Sequence, residues 1–162
     1  MKSWIERPIE VRNLFNPAFC GLLLYRAMKE YQVNDIKGMP YSLSLLVLPL
    51  VLPAHSRNIL LTNSRSSVLK TITSYPELLV GFPDKARHMI PCTLEALGLL
   101  AMHDCFSVRE DGRFECKQGQ ALSKFDGSAE TLECEAAAKL VGRHFARTND
   151  SVTIYVTLGV RP

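Results

Sequence analysis

His88 and Cys92 stand four residues apart in a helical pattern, a spacing that puts both side chains on one face. With His103, Cys105 and Cys116 they are the nearest thing in this chain to a zinc site, since imidazole and thiolate are the ligands that tetrahedral Zn²⁺ takes. The spacings match no zinc motif, however, and the plainer reading is small core cysteines beside surface histidines. Cys20 raises a second prospect, a nucleophile working with a distant histidine. Its neighbours Ala18, Phe19, Gly21 and Leu22 are apolar or small, and such surroundings raise a thiol pKa and leave it inert. Packing is the expectation there. The chain has no GxxxxGK[ST] phosphate loop, no GxGxxG, no GxSxG elbow and no HExxH. The sequence therefore predicts no catalytic residue, no cofactor and no metal.

Cations offer a different chemistry. Arg57, Arg65 and Lys70 punctuate a serine-rich stretch at 56–74, and Lys85, Arg87 and His88 follow. On a winged helix such residues meet phosphates, with Arg109 and Arg113 on the wing. Glu77, Asp84, Glu110 and Asp111 are interleaved with them, which is the pattern of a solvated mixed face. Arg26 interrupts an otherwise apolar helix and needs a carboxylate, with Glu10 and Glu30 as candidates.

The elements that must position these residues are legible in outline. Residues 1–14 read as extended, anchored by Trp4, Ile5, Ile9 and Val11. Asn16 caps a helix that starts at Pro17 and ends by Gly38-Met39-Pro40. Residues 41–52 form a core helix kinked or broken near Pro49. Ser56 caps a short helix over 57–61, and Ser64 or Ser66 caps another that Tyr75-Pro76 stops. A helical pattern over 83–103 has Pro91 as a kink or boundary. Glu110-Asp111-Gly112 between 105–109 and 113–116 predicts a hairpin, and 117–128 a loop. Residues 129–148 form the last helix, with acidic residues early and basic residues late. Val152, Ile154, Val156 and Leu158 alternate with Thr153, Tyr155 and Thr157, which predicts a half-buried terminal strand. The sum is an α+β fold, mostly helical, with a winged-helix-like helix–helix–hairpin unit plus that strand.

Composition sets the frame. At 162 residues, 47% apolar and 22% charged, the chain is the size of a single domain over 1–162 and can bury a core without staples. A net charge of +3 is too weak to advertise nucleic acid by itself. Five cysteines, an odd number without CxxC, argue against a secreted disulfide framework, and residues 1–8 lack a signal-peptide core. A cytoplasmic setting is the expectation. The apolar run 41–53 is far shorter than the roughly 20 residues that cross a bilayer.

Two stretches carry a family resemblance. The run from Arg7-Pro8-Ile9-Glu10-Val11-Arg12-Asn13-Leu14-Phe15-Asn16-Pro17 to Arg26 resembles the opening of the middle components of prokaryotic three-component ABC-ATPase systems. The tail Thr153-Ile154-Tyr155-Val156-Thr157-Leu158-Gly159-Val160-Arg161-Pro162 resembles that family's ending, so the likeness spans nearly the whole chain. It implies an accessory, non-enzymatic subunit beside an SMC/Rad50-like ABC ATPase and a variable effector, often a nuclease. Such systems, Lamassu among them, defend bacteria against phage and plasmids. The resemblance brings no active-site residues with it.

Two function classes follow: an adaptor docking on the ATPase in a hetero-oligomer, and a winged-helix DNA binder. Aromatic and arginine side chains dominate interfaces, and near the two ends these are Arg12, Phe15, Tyr155 and Arg161. They are the expected partner contacts. The terminal strand is expected to pair with the N-terminal segment or to offer its edge to another protein.

Overall fold

The computed structural model describes residues 15–117 and 127–161. The expected extended segment at 1–14, with Arg12, lies outside the described residues, as does most of the expected loop at 117–128.

Helix α1 (Pro17–Asn34) begins as expected: the Asn16 side chain accepts a hydrogen bond from the Ala18 N–H at 2.9 Å, and Pro17 takes the first turn. Leu22, Leu23, Leu24, Tyr25, Ala27 and Met28 are all buried, so the helix is covered on most of its circumference. Its main neighbours are α5 (Phe82–Met102) and α6 (Ala129–Thr148). Gly142 lets α6 approach closely, because a Cβ there would sit 2.1 Å from the Ala27 carbonyl oxygen. Glu10, one of the two carboxylates expected for Arg26, lies outside the described residues, and Arg26 takes a partner on another helix. Its Nε lies 2.8 Å from Glu135 on α6, a partner that tertiary packing supplies, while Glu30 takes Arg143 at 3.4 Å.

Helix α2 (Tyr41–Val51) is the apolar core helix, with Pro49 inside it and Leu43, Leu46, Val47, Leu48, Leu50 and Val51 buried. It meets α3 (Ala54–Thr62) at 99°. Among the described residues no single helix is long and apolar enough to cross a membrane. Helix α3 starts after Pro53 rather than at Ser56, whose hydroxyl donates to the Leu50 carbonyl at 2.7 Å. Ser67, not Ser64 or Ser66, caps α4 (Val68–Ser74) by accepting from the Lys70 N–H. A 3₁₀ turn at Pro76–Leu79 leads into α5, which runs through Pro91 without ending.

The hairpin forms as the Asp111-Gly112 pair predicts, joining β2 (Phe106–Val108) to β3 (Arg113–Cys116). A third strand comes from an unexpected place. β1 (Met39–Pro40) pairs antiparallel with β3, giving the order β1-β3-β2. Phe114 of β3 packs against Phe106 with ring centroids 4.8 Å apart, and Tyr41 meets it edge-on at 6.1 Å.

The terminal strand is a correction: residues 151–158 are helical, as α7 (Ser151–Thr157). The Asp150 side chain accepts from the Val152 N–H at 3.1 Å and from the Thr153 hydroxyl, which opens a helix and competes with any strand. Ile154, Tyr155 and Leu158 face inward at helical spacing, whereas Val152 and Val156 of the alternating set are exposed. Pairing of this segment with the N-terminus as a strand is thereby overturned. The protein is mostly helical with a small antiparallel sheet, an α+β fold. Buried side chains from every element join one continuous core.

Candidate partner-docking site

The cysteines come first, because they carried the sharpest chemical prospects. Cys20, Cys92, Cys105, Cys116 and Cys134 are all free and buried. Cys20 and Cys92 face each other across the α1–α5 contact at 3.5 Å between sulfurs. The hydrogen bond to Cys92 and then burial push the Cys20 thiol well above its ordinary pKa; burial pushes Cys116 up to about 12. A thiol held protonated is a poor nucleophile and a poor ligand. Among the described residues, no three His, Cys, Asp or Glu side chains converge on a point where a metal would sit.

The cations divide. Arg57 is 2% exposed. Its Nη1 donates to the Leu52 carbonyl at 2.8 Å and the Val51 carbonyl at 3.3 Å, and its Nη2 lies 3.0 Å from Glu130 of α6. Glu133 lies 3.6 Å from its Nε. Arg57 thus closes the open carbonyl end of α2 and ties it to the start of α6. Its guanidinium faces inward, away from any phosphate on the surface. Arg113 is half-buried, donating to the Gly38 carbonyl at 2.9 Å and pairing with Asp35 at 3.4 Å. Arg109 is exposed, with Asp111 and Glu115 each 4.0 Å away. Arg65 lies on the α3–α4 turn and Lys70 on α4, both exposed.

Phe15, Tyr155 and Arg161 take three different positions. Phe15 packs against the core where α1 begins, and its carbonyl lies 4.0 Å from the Cys92 sulfur. Tyr155 is buried, and its hydroxyl donates to the Ser42 carbonyl at 2.6 Å, pinning α7 to the start of α2. Arg161 is exposed. What positions Arg161 is the stop of α7. The Gly159 N–H bonds back to Val156 and the Val160 N–H to Tyr155, each at 3.0 Å, which is the Schellman pattern. Gly159 adopts φ +68°, the left-handed conformation this stop requires.

That turn builds one wall of a groove. Tyr155, Gly159, Val160 and Arg161 face Leu45 and Leu46 of α2 and Pro83, Ala86, Arg87 and Ile90 of α5 around a cavity of about 410 Å³. The floor is aliphatic and aromatic, and both formal charges on the lining are guanidinium groups. Pro49 and Pro91 each stand four residues after a lining residue. Lacking an N–H, they leave the Leu45 and Arg87 carbonyls without their usual helical partners. Of the partner contacts expected from residue type, Tyr155 and Arg161 line this groove. Leu45, Leu46, Ile90 and Val160 were missed; Gly159 after Leu158, read as the end of a helix, was the available signal.

The helical α+β architecture and the groove between α2, α5 and the α7 stop are the setting for the family assignment. Over residues 4–162 the chain matches the family described as ABC-three component (ABC-3C) system Middle Component 3, and it belongs to that family. No curated protein and no solved structure matches it.

Proposed function

We propose that this chain is the non-enzymatic adaptor of its three-component system, docking on an SMC/Rad50-like ABC ATPase and coupling it to an effector such as a nuclease. The setting is the bacterial cytoplasm, and the role is defence against phage and plasmids of the Lamassu kind. The observation that carries this reading is membership of the middle-component family across nearly the whole chain. The buried, strongly protonated thiols and the lack of a phosphate loop agree with it: ATP hydrolysis falls to another chain. Co-expression with the ATPase encoded beside it tests the reading. A complex that survives size exclusion at micromolar concentration is the expected result, and two separate peaks would overturn it.

A second reading, winged-helix DNA binding, is supported by the sheet. A short strand that precedes the helices and pairs with the second hairpin strand is how a winged helix closes its sheet. Exposed Arg65, Lys70 and Arg109 are its contacts. It predicts binding of duplex DNA by the isolated chain, with log affinity falling steeply against log salt. No shift at low salt removes it.

A further inference from the structure

We propose that the groove between α2, α5 and the α7 stop receives a short segment of another component of the same system, one that presents an apolar side chain beside an aspartate or glutamate. The inference rests on the adaptor reading and assigns that reading its surface. Three observations specify the occupant's chemistry.

First, the cavity of about 410 Å³ is floored by Leu45, Leu46, Ala86, Ile90 and Val160. This suits one or two apolar side chains, whose removal from water favours binding. Second, Arg87 and Arg161 give the lining a positive charge with no carboxylate among the described lining residues. Arg87 has Asp84 at 3.1 Å, but both side chains are about three-quarters exposed, and such a surface pair is worth little. Both guanidiniums are thus open to a carboxylate from outside, which an arginine grips bidentately. The net charge of +3 favours the same sign of partner. Third, the wall that carries Arg161 is rigidly placed. The Schellman stop at Gly159 and the Tyr155–Ser42 hydrogen bond hold it before any partner arrives, which lowers the ordering cost of binding.

The test uses the full chain co-expressed with the other components of its system. A photocrosslinking residue replaces Ile90, and affinity is measured for the unsubstituted protein and for the pair Arg87→Glu/Arg161→Glu. Expected are a crosslink to a peptide in which an apolar residue neighbours Asp or Glu, and an affinity at least tenfold weaker for the charge-reversed pair. Reversing that acidic residue to lysine should then restore binding to the pair. The circular dichroism spectrum and Tm should be unchanged; if they are not, Arg87→Gln/Arg161→Gln is measured in its place. A complex that forms with unaltered affinity in the variants overturns the groove and leaves the adaptor reading standing. A crosslink to a second copy of this chain, or to DNA, overturns it too. Failure of any component to associate with the unsubstituted chain ends both readings together.

Discussion

His144 shows how one residue sets a pH dependence. It lies on α6, 5% exposed, and burial lowers its pKa below the ordinary 6.5, with Arg147 and Arg143 acting in the same direction. A backbone hydrogen bond to Ser64 opposes the shift. In the unfolded chain the imidazole takes up its proton as pH falls through about 6.5, while the folded protein still resists it. The unfolded state then binds more protons, so stability is full above about pH 6.5 and declines as pH falls from there toward the lowered folded value. Denaturant midpoints between pH 8 and 5 should show this decline, and His144→Gln should flatten it. A profile unchanged by the substitution would assign the acid sensitivity to other groups.

At the scale of elements, the α1–α6 crossing is held by backbone proximity. Gly142→Ala must force α6 away from the Ala27 carbonyl, and overpacking of this kind costs about 1–3 kcal/mol. Gly98, inside α5, has nothing within 4 Å of a built Cβ. There the same substitution gains helix propensity and should stabilise by roughly 0.5–1 kcal/mol. Urea unfolding of the two variants should move in opposite directions; equal shifts would show that helix propensity, not contact, governs both. The contrast also marks what the sequence discloses about elements. Asn16-Pro17 and Asp111-Gly112 state their geometry within two residues, and both readings hold. Residues 151–158 misled because alternation over four apolar positions also permits a helix with one buried face. Asp150 as cap and Gly159 as stop, with the seven helical residues Ser151–Thr157 between them, were the deciding local signals. β1 has only two residues, and their partners on β3, Phe114 for Met39 and Arg113 for Pro40, are far down the chain, beyond the reach of any local pattern. The groove was half legible for the same reason: residue type suggested Tyr155 and Arg161, whereas Leu45 and Ile90 join them only through tertiary packing.

Across the whole molecule, the buried residues form a single cluster to which every element contributes. Such a core gives no part of the described chain an independent reserve of stability, so unfolding should be two-state. The buried Tyr25 and Tyr31 of α1 provide a near-ultraviolet signal of packing, and the helices provide a far-ultraviolet one. The two transitions in denaturant are expected to coincide. A near-ultraviolet midpoint at lower denaturant would reveal a separable outer layer.

Arg57 bears on the order in which this molecule assembles. It joins the nearby carbonyls of Val51 and Leu52 to Glu130, a residue 73 positions downstream, so this junction is complete only after α6 has docked. Closing a loop of that length before other contacts form is entropically unfavourable, which places this junction after the rate-limiting barrier. Replacing Arg57 with methionine should therefore act almost entirely on the way out: faster unfolding, with the refolding limb of the chevron hardly moved. The lifetime of the folded chain, more than the speed of reaching it, depends on that one guanidinium.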